Sequence, residues 1–124
     1  MALAGKIVGV SDDHDAVVRC EAAVHAALGG TVAASRSQPY YLDITHPDAD
    51  KGHAVLALSH ILNIPPANII TIGDMPGDVF MFVKSGTSIA MGNAPPEVQK
   101  QATHVTTSNE QEGFANAIDR YVLA

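Results

Sequence analysis

The strongest constraint on the fold is the order of strand and helix patterns in the second half of the chain. A nearly continuous apolar run occupies residues 68–72, and two shorter strand patterns follow at residues 87–91 and 104–106. Sequence typical of helices flanks each of them, which gives the predicted order αβαβαβα. An apolar strand of this kind is expected to be buried on both faces. The alternation therefore predicts a parallel, doubly wound α/β sheet.

Boundary signals support this order. A helix is predicted for residues 51–62, and Pro65 and Pro66 prevent its continuation. A short helix is predicted for residues 78–84, and a third begins at the proline pair of residues 95–96. Ser108-Asn109-Glu110-Gln111 has the form of a capping box, so the last helix is predicted to start there.

The first part of the chain has a different pattern. A strand is predicted for residues 6–10, a helix for residues 14–28 with Val17, Val24 and Leu28 on one face, and strands for residues 31–35 and 40–45. This β-α-β-β order indicates a small open sheet with a helix on one face. A polar linker at residues 46–50 separates it from the second part, so the predicted domains are 1–46 and 47–124.

Composition excludes several classes of function. The net charge is −6 and there is no basic cluster, which argues against a nucleic-acid partner. No apolar run is long enough to span a membrane, and the N-terminus does not have the form of a signal peptide. Cys20 is the only cysteine, so an intrachain disulfide is impossible. A cytoplasmic protein is the expectation.

Two carboxylates follow the first strand of the predicted parallel sheet. Ligands bind beyond the carboxyl ends of such strands, where Asp74 and Asp78 are expected to lie. Hard oxygen ligands of this kind suit Mg²⁺, and Gly73 is expected to let the backbone turn at the strand end. The alternative is structural, with Asp74 as a helix cap and Asp78 as an acid of the first turn.

Lys51 favours the ligand-binding alternative. It lies at the start of a predicted helix, where a cation opposes the helix dipole. A lysine there is sensible beside a bound phosphate, because helix N–H groups and the ammonium converge on one anion. A lone lysine in this position is usually a solvated surface residue. Lys51 therefore supports a ligand site only in combination with Asp74 and Asp78.

Together these residues resemble a known family, the C-terminal half of Cof-type phosphatases of the haloacid dehalogenase (HAD) superfamily. The matching segments are Tyr41-Leu42-Asp43-Ile44-Thr45, Lys51-Gly52, Ile72-Gly73-Asp74 with Asp78, Ser88-Ile89-Ala90-Met91-Gly92-Asn93-Ala94, and Glu112-Gly113. The resemblance implies an α/β fold in which a HAD-like Rossmannoid parallel sheet follows a β-α-β-β remnant of the α/β cap.

The resemblance also implies roles for individual residues. Lys51 matches the family's third-motif lysine, which steadies the nucleophile and the transferred phosphoryl group. Asp74 matches the Mg²⁺ ligand of the fourth motif, and Asp78 matches the second acid of that motif. Catalysis in the family passes through a phosphoaspartyl intermediate, and the implied substrate is a small phosphorylated metabolite.

The chain departs from the family pattern in two ways. The family's nucleophile lies upstream of the cap, so it is expected to be missing here. Asp13 and Asp15 fit the form of that motif literally, but they do not directly follow the strand of residues 6–10, and a solvated helix cap is the plainer interpretation. Gly77 stands where family members commonly carry a phosphate-contacting asparagine. Gly77 and Asn93 are kept as candidate pocket-lining residues.

Two hypotheses of different classes follow. The first is a Mg²⁺-dependent phosphomonoester hydrolase that lacks its nucleophile motif, so that this chain alone is expected to be inactive. The second is a non-catalytic binding or assembly module. Without the family's first core strand, residues 68–72 would form an exposed apolar sheet edge, and such an edge invites pairing. We therefore expect a homo-oligomer, or a partner that supplies the missing half.

Overall fold

The computed structural model describes residues 4–124, which divide into two compact units at the Ala49–Asp50 junction. None of the helices in this described range combines the length and the apolar character that crossing a bilayer requires. Each unit has its own sheet and its own core.

The first unit is an antiparallel sheet with one helix. Its elements are β1 (Lys6–Val10), α1 (His14–Leu28), β2 (Ala33–Gln38) and β3 (Tyr41–Thr45), with the strands in the order β1-β3-β2. The predicted β-α-β-β order is confirmed. Gly29, at a φ of +53°, ends α1, and a 3₁₀ turn over Gly29–Thr31 delays β2 to Ala33.

The core of this unit lies between α1 and the sheet. Val17, Ala34 and Leu42 are buried there, and the partly buried Val24 and Ile44 pack against them. Leu28 was predicted to share the apolar face of α1 with Val17 and Val24, but it is 47% exposed. It lies in the last turn of the helix, next to the Gly29 cap, and therefore contributes little to the core.

The second unit is a parallel sheet with short helices, as predicted. The strands β4 (Ile70–Gly73), β5 (Thr87–Ala90) and β6 (His104–Val105) are hydrogen-bonded in that order. The helices are α2 (Lys51–Leu62), α3 (Val79–Phe82), α4 (Pro96–Gln99) and α5 (Gly113–Tyr121). Phe82, Ala90, Ala94 and Val98 form the buried cluster of this unit.

The predicted capping box at Ser108 is wrong. A 3₁₀ turn covers Asn109–Gln111, Ser108 makes no side-chain cap, and its hydroxyl contacts the side-chain oxygen of Gln111 at 3.5 Å. Glu112 then adopts a left-handed conformation at a φ of +54°. This conformation interrupts the helical path, so α5 begins only at Gly113.

Candidate functional site

Backbone hydrogen bonds join the carboxyl ends of the parallel strands. The amide of Met91 donates to the carbonyl of Gly73 at 2.9 Å, and that of Gly92 donates to the carbonyl of Thr107 at 3.0 Å. A Cβ on Gly92 would lie 2.7 Å from the Ser108 nitrogen, so glycine is required there. The loops after β4, β5 and β6 therefore form one connected edge, where ligands bind in open parallel sheets. We call this the carboxyl edge.

Asp78 is the buried acid of the carboxyl edge, with only 3% of its surface exposed. Its Oδ2 accepts hydrogen bonds from the backbone N–H groups of Asp74 at 2.8 Å and Met75 at 2.9 Å. Its Oδ1 accepts a hydrogen bond from the ammonium of Lys51, and the two groups form an ion pair. One carboxylate thus connects the start of α2 to the loop after β4.

These contacts determine the ionisation of Asp78. Burial acts to raise its pKa, because a buried carboxylate loses hydration. The hydrogen bond from Lys51, the two backbone N–H groups and the positive charge of Lys51 act in the opposite direction and prevail. The pKa of Asp78 therefore lies below its ordinary value, and the side chain is an anion at neutral pH.

Two glycines make room for this arrangement. A Cβ on Gly73 would lie 2.5 Å from the Cβ, Cγ and Oδ2 atoms of Asp78. The prediction that Gly73 supplies backbone freedom for a turn is wrong, because Gly73, the last residue of β4, does not have a left-handed φ. A Cβ on Gly52 would lie 2.4 Å from the carbonyl oxygen of Phe80. This requirement for glycine at residue 52 was not predicted, although a glycine within a helix is unfavourable enough to indicate close packing.

Lys51 is the first residue of α2 and reaches the carboxyl edge through Asp78. The helix cap is Asp50, whose Oδ1 accepts a hydrogen bond from the backbone N–H of His53 at 2.8 Å. Asp78 and Asp50 together supply the negative charge that offsets the unfavourable position of a lysine beside a helix N-terminus. The Lys51 side chain is 59% exposed, so its ammonium remains accessible to a ligand.

Asp74 follows β4 directly and is half-buried. Its Oδ2 accepts a hydrogen bond from the Nδ2 of Asn93 at 3.0 Å, and the Oδ1 of Asn93 accepts one from the backbone N–H of Asn109 at 3.0 Å. Asn93 thereby connects the loops that follow all three strands. Asn109 was not among the predicted site residues, because a backbone N–H leaves no mark in a sequence.

Of the two acids at the carboxyl edge, Asp74 is better suited than Asp78 to binding Mg²⁺. Asp74 provides a hard oxygen ligand of the kind that Mg²⁺ prefers, and Asn93 occupies only its Oδ2. Both oxygens of Asp78 already accept hydrogen bonds from protein groups. Within residues 4–124, no three His, Cys, Asp or Glu side chains gather closely enough to hold a metal ion. The metal role of Asp74 and Asp78 stays a prediction.

Gly77 is exposed and lies in the 3₁₀ turn Pro76–Asp78. A Cβ at this position would meet no atom within 4 Å, so the turn has space for a longer side chain such as asparagine. The predicted pocket-lining roles of Gly77 and Asn93 remain predictions.

Asp13 belongs to the first unit and serves as the N-cap of α1. Its Oδ1 accepts a hydrogen bond from the backbone N–H of Ala16 at 3.0 Å, and its Oδ2 lies 3.5 Å from Arg19. The preceding strand, β1, pairs antiparallel with β3 rather than with a parallel neighbour. This is the helix cap that the plainer interpretation predicted.

Comparison with known proteins adds an independent line of observation. A model of the haloacid dehalogenase-like hydrolase family matches residues 3–118. The putative phosphatase YxeH of Bacillus subtilis is 43% identical over 89 residues, which make up 72% of this chain and 33% of that protein. The 5-amino-6-(5-phospho-D-ribitylamino)uracil phosphatase YwtE of the same bacterium is 37% identical over 89 residues, or 72% of this chain and 31% of that protein.

A crystal structure gives the same result for the fold. A haloacid dehalogenase-like hydrolase from Bacteroides thetaiotaomicron superposes with a TM-score of 0.88 at 30% sequence identity. The superposition covers 97% of this chain and 45% of that one. The predicted resemblance and the predicted HAD-like α/β fold are confirmed. The chain spans about a third of the length of the two curated relatives.

Proposed function

Because this chain belongs to the haloacid dehalogenase-like hydrolase family, we propose that its carboxyl edge is the lysine and metal part of a phosphomonoester hydrolase site. The proposed substrate is a small phosphorylated metabolite, and the proposed cofactor is Mg²⁺. The name of YwtE describes a phosphatase for a compound of this class. In this proposal residues 1–46 belong to an α/β cap and residues 47–124 to the C-terminal half of the core.

The observation that carries the proposal is the position of Asp78 between Lys51 and the Asp74 loop. A buried anion with three hydrogen-bond donors holds the start of α2 and the end of β4 together. A mere surface ion pair would need neither burial nor the two close approaches at Gly52 and Gly73. The arrangement is therefore better suited to holding the exposed ammonium of Lys51 and the half-buried carboxylate of Asp74 near one ligand.

The three side chains have different proposed tasks. Lys51 supplies positive charge for the phosphoryl oxygens, and the N-terminus of α2 supports the same charge. Asp74 supplies the oxygen ligand for Mg²⁺, which when bound neutralises further phosphoryl charge. Asp78 keeps Lys51 and the Asp74 loop in place. Its proposed role in the metal site is thus to position these two groups.

We further propose that these 124 residues have no turnover by themselves. In a phosphoaspartyl mechanism a carboxylate must attack phosphorus, so its oxygen must be free and close to Lys51 and Asp74. Asp78 is held by three donors, and Asp13 caps a helix of the antiparallel unit. The oxygens of both carboxylates are thus engaged by other groups, whereas a nucleophile needs a free oxygen.

Hydrolysis of p-nitrophenyl phosphate with Mg²⁺ tests this proposal. The wild-type chain is expected to show no activity above that of the Asp74→Asn variant. The matched control is Asp43→Asn, which changes a partly exposed aspartate of the first unit. Robust activity that Asp74→Asn abolishes and Asp43→Asn preserves would overturn the inactivity and would make Asp13 or Asp15 the candidate nucleophile.

Binding of phosphate tests the ligand site independently of turnover. Titration with inorganic phosphate and Mg²⁺, followed by amide NMR, is expected to shift signals at the start of α2 and in the loop after β4. The Lys51→Met variant is expected to lose the phosphate-dependent shifts. If the wild type shows shifts only in the first unit, the carboxyl edge is not the ligand site.

The second hypothesis, assembly through the sheet edge, has its own supporting observation. Among the described strands β4 pairs only with β5, so one edge of β4 carries unpaired backbone groups. An open groove of about 460 Å³ runs beside it and contains no charged side chain; its lining consists of Asn68, Ile70, Ile72, Phe114, Ile118 and Val122. An exposed apolar edge of this kind pairs readily with another strand.

We propose a second copy of this chain as the occupant of this groove. In an antiparallel pair centred on Thr71, Ile70 of each copy would lie opposite Ile72 of the other, and residues directly opposite point to the same face. The uncharged lining avoids the repulsion that a net charge of −6 would otherwise impose at the contact.

Sedimentation at high protein concentration tests this self-association. The wild type is expected to form a dimer and Phe114→Lys a monomer, because Phe114 is 62% exposed beside the groove. The control is Ile61→Lys on α2, which changes a residue that is 73% exposed and does not line the groove. A monomeric wild type, or equal loss of the dimer in both variants, would reject the β4 edge as the interface.

A further inference from the structure

We propose that Asn93 is a positioning residue that fixes the carboxylate of Asp74 at the carboxyl edge. The inference rests on the proposed function in one respect, since it assumes that Asp74 is the metal ligand. The contact itself is an observation, with 3.0 Å between the Nδ2 of Asn93 and the Oδ2 of Asp74.

The orientation of the Asn93 amide is determined by its two partners. Its Oδ1 faces the backbone N–H of Asn109, which can only donate a hydrogen bond. Its Nδ2 faces the carboxylate oxygen Oδ2 of Asp74, which accepts a hydrogen bond. A flipped amide would place donor against donor and acceptor against acceptor. The side chain is therefore held in one orientation, and it presents a donor to Asp74.

The loop that contains the backbone N–H of Asn109, the partner of Asn93, is held in place by further hydrogen bonds. The amide of Gly92 donates to the carbonyl of Thr107, and that of Gly113 donates to the carbonyl of Ser108, each at 3.0 Å. The Nδ2 of Asn116 donates to the hydroxyl of Thr107 at 2.8 Å and to the carbonyl of Gln111 at 2.9 Å. The Asn109 amide thus belongs to a loop with several bonds to its surroundings.

Asp74 gains a defined orientation from this anchor. A half-buried aspartate at a strand end has more than one accessible χ1 rotamer, and confining it costs conformational entropy. A hydrogen bond to one carboxylate oxygen restricts that freedom before any ligand binds. It also leaves the second oxygen, Oδ1, for a cation, since Asn93 occupies only Oδ2. The amide therefore prepares the carboxylate for binding without blocking it.

The variants Asn93→Ala, Asp74→Asn and Asn116→Ala test the inference in the intact chain. Asn116→Ala is the matched control, because it removes an amide that braces the same loop without touching Asp74. Mn²⁺ serves as the probe ion, and its affinity is measured by paramagnetic broadening of amide signals. Asn93→Ala is expected to weaken Mn²⁺ binding about tenfold, as is typical when the partner of a metal-binding group is removed. Asn116→Ala is expected to leave the affinity within about twofold.

A second readout needs no metal. Three-bond couplings that report the χ1 torsion of Asp74 are expected to indicate one rotamer in the wild type and in Asn116→Ala, and averaging in Asn93→Ala. If the wild type binds no Mn²⁺, the proposed metal role of Asp74 fails and the couplings alone decide whether Asn93 positions it. If Asn93→Ala leaves the couplings unchanged, the positioning role is overturned. It is also overturned if Asp74→Asn abolishes Mn²⁺ binding while Asn93→Ala has no effect on it.

Discussion

Each unit of the molecule contains a lysine–aspartate pair, and the two pairs are built differently. In the antiparallel unit, the Nζ of Lys6 lies 2.8 Å from the Oδ1 of Asp43, and 16% of the Asp43 side chain is exposed. In the parallel unit, Lys51 pairs with Asp78, of whose side chain only 4% is exposed. The lysines are about equally exposed, at 50% and 59%, so the difference lies with the aspartates.

The pKa values of both aspartates are lowered, but the causes differ. For Asp43 the hydrogen bond from Lys6 is the largest influence and outweighs burial. For Asp78 burial is the largest influence and acts to raise the pKa, and the hydrogen bond and charge of Lys51, together with two backbone N–H groups, outweigh it. An anion can therefore be buried at the carboxyl edge because the backbone, and not just a lysine, supplies donors.

The glycines of the two units differ in the same way. In the antiparallel unit, a Cβ on Gly9 would meet Leu42 only at an ordinary 3.6 Å, and one on Gly29 or Gly30 would meet nothing within 4 Å. In the parallel unit, five glycines would each place a Cβ under 3.0 Å from another atom; these are Gly52, Gly73, Gly86, Gly92 and Gly113. Close backbone approach is thus concentrated in the unit that holds the candidate site.

Replacing the two aspartates should give the largest difference between the units. Asp78→Ala is expected to lower the free energy of unfolding of the parallel unit by about 2–3 kcal/mol, because three groups lose a charged acceptor. Asp43→Ala is expected to lower that of the antiparallel unit by about 1 kcal/mol or less. Urea unfolding followed by amide NMR signals of β5 and β3 measures each unit separately. Equal losses would mean that the backbone donors to Asp78 add nothing.

The close packing around Gly73 predicts the next largest effect on stability. Gly73→Ala is expected to destabilise the parallel unit by about 1–3 kcal/mol, because the added methyl group overlaps the Asp78 side chain. Gly77→Ala, four residues away in open space, is expected to be neutral or to stabilise by about 0.5 kcal/mol. The same urea experiment measures both variants. A Gly73→Ala variant as stable as Gly77→Ala would show that Asp78 can move aside at little cost.

Acid should act on the parallel unit through Asp78. Its pKa is lower in the folded state than the ordinary value of 3.8, so its ionised form contributes stability that is fully present above that value. This contribution is lost as the pH falls through the lower pKa of the folded state. The difference in unfolding free energy between the wild type and Asp78→Asn, followed by β5 amide signals, should therefore shrink as the pH falls below about 3.8. A constant difference at all pH values would contradict the lowered pKa.

The sequence allowed the element order and the family to be predicted, since both depend on local patterns. Strand alternation and helix signals are properties of neighbouring residues, and the bounds of β1, α1 and α2 agree with the prediction. The role of Gly73 and the start of α5 were predicted wrongly. Both depend on how the loops fold back on themselves: the Asp78 side chain packs against Gly73, and Glu112 adopts a left-handed conformation just before α5.

The candidate site, too, could be predicted from the sequence only in part. Lys51, Asp74 and Asp78 were chosen for their charge and spacing, which a sequence displays. The division of labour between the two acids was not predictable, because it depends on which backbone N–H groups face each carboxylate. The contact of Asn93 with Asn109 joins residues 16 positions apart through a backbone group, and no side-chain pattern encodes it.

Replacing the two lysines should give the smallest effects and the most direct comparison of the two pairs. Lys51→Met is expected to destabilise the parallel unit by about 1 kcal/mol, and Lys6→Met to destabilise the antiparallel unit by a few tenths of a kcal/mol. Asp78 is the more deeply buried anion, but its two backbone donors remain after Lys51 is lost, which keeps the cost well below that of Asp78→Ala. The urea experiment on β5 and β3 signals measures both. If Lys51→Met costs as much as Asp78→Ala, the ammonium rather than the backbone is what stabilises the buried carboxylate.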